Sequence, residues 1–136
     1  MHTTNYLETF IEAAEDCLLD KAEIPPSKNG EKTIAVLHYE LIINNPYQYT
    51  SDDVIFNTFV QKNNIGNEDL EPERERFFSK GQACLRSSPL TKRYGWGVHS
   101  DKDGKVAIYP IESVEYKKYC SDNSVKHLKG MRTKRK

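Results

Sequence analysis

The strongest local constraint in this chain is a hairpin. Trp96-Gly97-Val98-His99 and Val106-Ala107-Ile108-Tyr109 flank the turn-forming stretch Asp101-Lys102-Asp103-Gly104. Two short β-prone runs around such a loop fit antiparallel strands joined by a type I turn with Gly104 in the left-handed region. Side chains alternate along a strand, so Trp96 and Val98 share one face and Gly97 and His99 the other. Trp96 is therefore expected in the core.

The remaining segments read mostly as helices that could cover such a sheet. From Thr33, the apolar positions Ile34, Leu37, Leu41 and Ile42 repeat at helical spacing, and Asn44-Asn45-Pro46 ends the run. His38 lies on that apolar stripe and reads as a satisfied core-edge histidine. Thr50-Ser51-Asp52-Asp53 is a helix start, with a hydroxyl cap and acids at the positive end of the dipole. Ile55, Phe56, Phe59 and Val60 form its apolar face. Capping accounts for both aspartates without invoking acid–base chemistry. Pro72 is expected to open a third helix, Glu73–Lys80, closed by Gly81. Ser113 can cap a short helix that runs to about Cys120. Residues 7–19 fit both a helical stripe and an edge strand at Thr9–Ala13, and residues from Ser124 fit helix or strand before a basic end. The expected architecture is α+β: a small antiparallel sheet around the 96–109 hairpin, with about four helices packed on one side.

Length and composition set the class. The chain has 136 residues, the size of one domain. It reads as a single α+β domain over 1–130 with a basic tail at 131–136. The longest apolar runs, Ile34–Leu37 and Leu41–Ile43, fall far short of the roughly 20 residues a membrane helix needs. No secretory signal is visible in MHTTNYLETF. Three widely spaced cysteines, Cys17, Cys84 and Cys120, argue for reduced thiols in a cytoplasmic protein and against a disulfide framework or zinc site.

The zero net charge hides an asymmetry. Residues 1–75 hold 15 acidic and 5 basic residues (−10), whereas residues 76–136 hold 5 acidic and 15 basic ones (+10). Neutralisation of one half by the other is the favoured explanation, ahead of a basic face for an anionic partner.

Chemistry concentrates in residues 79–99, SKGQACLRSSPLTKRYGWGVH, where no acid interrupts a run of cations, hydroxyls and glycines. Fixed positive charge, short donors and open backbone are what an anion site requires. The candidate ligand-binding residues are Lys80, Arg86, Ser87, Ser88, Lys92, Arg93, Tyr94 and His99. Arg86 could hold a carboxylate or phosphate in bidentate fashion. Cys84 reads as a buried inert thiol, flanked by Ala83 and Leu85. No catalytic residue, cofactor motif or metal-ligand set stands out: G-x-S-x-G, H-E-x-x-H and G-x-G-x-x-G are all missing.

Several stretches carry a likeness. MHTTNY at the start, NPYQYTSDDV at 45–54 and FFSKGQACLRSSPLTKRYGWGVHSDKDGKVAIY at 77–109 resemble a family of small bacterial proteins known only as a domain of unknown function. The resemblance spans nearly the whole chain. It implies a single-domain cytoplasmic protein and transfers no activity and no site residues.

The leading functional expectation is a small cytoplasmic module that binds an anionic or nucleotide-like ligand at residues 80–99. A nucleic-acid-associated protein using the basic half, including the tail from Lys126, ranks second. A cysteine-dependent enzyme ranks third. No membrane partner is expected, and no feature sets an oligomeric state.

Overall fold

In the computed structural model, which describes residues 2–66, 68 and 70–133, the hairpin forms as its sequence dictates. β2 (Trp96–Ser100) and β3 (Val106–Pro110) pair antiparallel, with Val98 opposite Ile108. Gly104 adopts φ +80° in the turn, a conformation that costs glycine little.

The ambiguous segment near the start is a strand, β1 (Thr9–Glu12), and it lies inside the sheet rather than at its edge. It pairs antiparallel with β2, Phe10 opposite His99, and parallel with β4 (Lys126–Lys129), Phe10 opposite His127. The order β3-β2-β1-β4 makes the four-stranded sheet mixed, where the sequence suggested an antiparallel one. The fold class is α+β.

Among the described residues, five α-helices accompany the sheet: α1 (Ile34–Ile43), α2 (Ser51–Lys62), α3 (Leu70–Phe77), α4 (Pro89–Lys92) and α5 (Val114–Cys120). Thr33 caps α1 through Val36 N–H, Thr50 and Asp53 form a reciprocal capping box on α2, and Ser113 caps α5. The third helix begins at Leu70, before the expected start. Pro72 still sits in its first turn, where no intrahelical N–H is required. Asp52 does more than complement the dipole of α2. Buried, it accepts Thr4 N–H and the Thr3 and Thr4 hydroxyls, each at 2.7 Å, and so anchors the N-terminal segment.

The two sheet faces are covered differently. Ile11, Trp96, Val98, Val106 and Ile108 build the main core with Ile42 of α1, Val54 of α2 and Leu90 of α4. The opposite face carries Phe10, Gly97, His99 and Tyr109, which meet α5 through Tyr116 and Tyr119. Helices thus occupy both sides, with α5 on the second. The edges differ too. Residues 47–50 cover β3: Tyr47 N–H donates to Val106 O and Val106 N–H to Tyr49 O. β4 is the other edge strand, with Lys126 and Lys129 exposed along it, the kind of charge that discourages strand addition. No helix among the described residues is long and apolar enough to cross a membrane.

Candidate functional site

The segment from Gln82 to Pro89 is held by local turns rather than by regular structure. A 3-10 turn over Leu85–Ser87 leads into α4, and Ser88 caps α4 by accepting Leu90 N–H at 3.2 Å. Leu85 and Leu90 are buried and pin the segment to the core. Between this segment and the helices α1 and α2 lies a cavity of about 430 Å3.

Its lining combines an apolar body with a few polar groups. Ile34, Ile55, Phe59 and Pro89 provide the apolar walls. His38, Cys84, Ser87 and Ser88, with Lys62, Asn63 and Gln82, supply its polar groups. Several of these groups are already committed. Lys62 Nζ donates to Lys32 O, the Asn63 amide to Phe59 O, and the Gln82 amide to Phe77 O. No aspartate or glutamate lines the cavity among the described residues.

His38 is the most deeply placed ionisable group of the wall. It is 7% exposed, and its Nδ1 lies 2.9 Å from Ser88 Oγ. Burial pushes its pKa down to about 4, so the ring is neutral at pH 7. The resemblance to a serine–histidine pair stops at the geometry. Ser88 is 3% exposed and its oxygen already accepts the α4 cap bond, which leaves no approach for a substrate.

The residues singled out from the sequence do not converge. Ser87 and Ser88 line the cavity. Arg86 is not part of the lining: its Nε donates to Lys129 O of β4 at 2.8 Å, its backbone O accepts Met131 N–H, and its guanidinium also acts on Tyr6 OH beside Cys84. Lys80 lies in an adjoining depression with Glu73 and Arg76, which shares Phe59 and Gln82 with the cavity wall. Lys92 and Arg93 end α4, where Lys92 O accepts the Thr133 hydroxyl and Arg93 O the Cys17 thiol. Tyr94 packs against the core, and its backbone O accepts Glu23 N–H. His99 projects from the other side of the sheet.

Cys84 is half-buried at the cavity, not fully enclosed as its apolar neighbours suggested. Its Sγ lies 3.5 Å from Tyr6 OH. Burial first, and then Cys84, raise the Tyr6 pKa, while Arg86 acts in the opposite direction. What sequence reasoning missed is the contribution of α1 and α2. His38, Ile55 and Lys62 lie far from residues 79–99 in the chain, and only packing brings them to the same wall. The polar residue on an otherwise apolar helical stripe, His38, was the one available signal.

A second concavity, about 530 Å3 and open, sits beside α5. His99 and Tyr119 belong to it, with Glu8, Asp101 and Asp122 on the acidic side and Lys102 and Lys118 on the basic side. His99 stacks on Tyr119 with ring centroids 4.1 Å apart, and its Nδ1 meets Tyr47 OH at 2.9 Å. Tyr47 OH also lies 2.8 Å from Tyr109 OH. Tyr47 takes φ +59°, an unusual backbone for a bulky residue.

The basic half meets the acidic half at several points. Lys129 and Arg132 both reach Glu15, His127 lies 3.9 Å from Glu12, and Arg76 pairs with Glu73. Thr133 N–H donates to Asp16. The last three residues of the basic tail, 134–136, lie outside the described residues. Among the described residues no group of three or more His, Cys, Asp or Glu side chains is arranged to hold a metal ion.

No curated protein and no solved structure matches the chain. A family model does match, over residues 1–136, and the chain belongs to that family, the family of unknown function DUF6157.

Proposed function

We propose that the protein is a binding module for a small molecule with an apolar body and one polar end, held in the cavity between α1, α2 and residues 82–89. The observation that carries this reading is the cavity itself. It has about 430 Å3 of space, apolar walls, and a short set of polar groups including a buried neutral histidine. Small-molecule sites have this composition and this size. The location overlaps the 80–99 segment at Ser87 and Ser88, but the guanidinium of Arg86 is engaged at β4, so the ligand is less strongly anionic than a nucleotide.

Three half-buried free thiols and the likeness to small bacterial proteins support a place in a reducing bacterial cytoplasm. Nucleic-acid binding is the weaker alternative, because Lys129 and Arg132 are occupied by Glu15.

The test is a titration of the 15N-labelled full chain with phenylacetate, indole and cyclohexanol, followed by amide shifts. Binding should perturb residues 34–38, 55–63 and 82–89 together. Ala83 is an exposed wall residue, so Ala83→Trp should fill the space and abolish those shifts without lowering the thermal midpoint. Shifts that are absent, or that survive in Ala83→Trp, refute the reading.

A further inference from the structure

The hydrogen atoms around Ser88 decide what the cavity can recognise. Ser88 Oγ has two partners among the described residues, Leu90 N–H at 3.2 Å and His38 Nδ1 at 2.9 Å. The backbone N–H can only donate. If Nδ1 also donated, Ser88 Oγ would accept twice and its own hydrogen would have no acceptor in a residue only 3% exposed. The Ser88 hydrogen finds an acceptor in one arrangement alone: the hydroxyl donates to Nδ1. His38 is then the Nε2–H tautomer. Nε2 has no hydrogen-bond partner among the described residues. It is also not among the buried polar atoms left without a partner, so it reaches open space rather than packed core. The cavity is the open space that His38 lines.

We propose that His38 Nε2–H is the reading group of this cavity and that its ligand is a monocarboxylate with an apolar body, one carboxylate oxygen accepting from His38. The proposal rests on the binding-module reading above and adds the ligand's chemical class. Three further observations support it. Lys62 is the only lysine or arginine lining the cavity among the described residues, and no carboxylate of the protein lines it, so a single negative charge on the ligand is matched and not repelled. The other buried hydroxyl of the wall, Thr58, donates to Val54 O within α2 and offers no competing donor. Ile34, Ile55 and Phe59 supply the surface for the apolar body. A ligand that presents an ammonium or other donor-only end would face an N–H with another N–H, an arrangement that leaves both without acceptors.

The experiment uses three probes with one apolar body, phenylacetate, 2-phenylethylammonium and ethylbenzene, against the full chain. Long-range 1H–15N spectra of the imidazoles report the tautomer of His38 in the free protein, which should be Nε2–H. Phenylacetate should shift His38 Nε2 and bind at least tenfold more tightly than 2-phenylethylammonium. His38→Leu should lose roughly tenfold in phenylacetate affinity relative to ethylbenzene affinity. His38→Gln, which restores a donor near the Nε2 position, should recover part of the loss. An Nδ1–H tautomer, or equal binding of the carboxylate and the ammonium, overturns the carboxylate assignment while the cavity remains a binding site. Failure of all three probes to move the cavity resonances overturns both readings.

Discussion

The phenol of Tyr47 lies 2.9 Å from Nδ1 of His99, although the two residues approach from opposite sides of the sheet. Tyr47 follows α1, which packs on the Trp96 face, while His99 projects from the α5 face. The link exists because residues 47–50 run along the β3 edge, and Tyr47 bends around it in a left-handed backbone conformation. One hydroxyl thereby ties both layers of the fold together. Burial, then hydrogen bonds to Tyr109 and Tyr119, push the Tyr47 pKa well above the usual tyrosine value.

Tyr47→Phe keeps the ring and removes that hydroxyl. Tyr109 OH and His99 Nδ1 then lose a partner each, and we expect a loss of about 1–2 kcal/mol. Equilibrium unfolding in urea measures it. A change below about 0.3 kcal/mol would show that water replaces the phenol at no cost and that the hub is incidental.

Acid should weaken the fold through its histidines. His38 has a folded pKa of about 4 and an unfolded value near 6.5. A depressed folded pKa means that the unfolded chain takes up the proton first, so this contribution is complete above about pH 6.5 and is lost as pH falls towards 4. It corresponds to about 3 kcal/mol. The pKa of His99, lowered by burial, acts in the same direction. His38→Asn retains an acceptor for Ser88 but cannot titrate there. Urea midpoints at pH 7 and pH 4.5 should therefore differ less in His38→Asn than in the native protein; an unchanged difference refutes the assignment.

Two residues at the start of α2, Thr50 and Asp52, should separate cleanly. Thr50→Ala removes a cap and should cost about 1 kcal/mol. Asp52→Ala leaves Thr4 N–H and two hydroxyls without their acceptor and should cost more, about 2–4 kcal/mol. It should also raise hydrogen exchange at residues 3–5. Equal costs for the two variants would mean that Asp52 is only a helix-end charge.

Gly97 is required by contact rather than by φ. A Cβ there would sit 2.5 Å from Phe10 Cζ and 2.7 Å from Tyr116 Cε2. Both rings are buried on a sheet face that α5 closes. Gly97→Ala should cost about 2–3 kcal/mol by overpacking, and Gly97→Ala combined with Phe10→Leu should recover part of it. Thermal unfolding of the three proteins checks this.

Duplex DNA should bind weakly, with a shallow salt dependence, because Lys129 and Arg132 already face Glu15. Sub-micromolar binding at physiological salt that disappears when residues 132–136 are removed would favour the nucleic-acid alternative over the cavity.

The legible parts of this fold are the local ones. The 96–109 hairpin, the Thr50 and Ser113 caps and the ends of α1 are readable because turn and cap chemistry acts over a few residues. The parallel partnership of β1 with β4 was not, since nothing in Thr9–Glu12 encodes which distant strand will lie beside it. The cavity was half legible. Ser87 and Ser88 were marked by the density of polar chemistry in their segment, but Arg86 beside them was drawn to Lys129 O by a strand whose position could not be foreseen. His38 looked like an ordinary core histidine, which at Nδ1 it is. Its other nitrogen acquires meaning only once α2 and residues 82–89 have closed around it.

The order β3-β2-β1-β4 also sets a timetable. The hairpin of β2 and β3 can zip as soon as its turn is made, but β1 must wait for partners drawn from the far end of the chain. Closing so wide a loop is entropically slow, and folding rates fall as contacts become more distant in sequence. β1 is therefore made early and seated late, and until β4 arrives Phe10 and Ile11 belong to a strand with an open flank. Of the two inner strands, β1 is the one most exposed to mispairing while the protein is young.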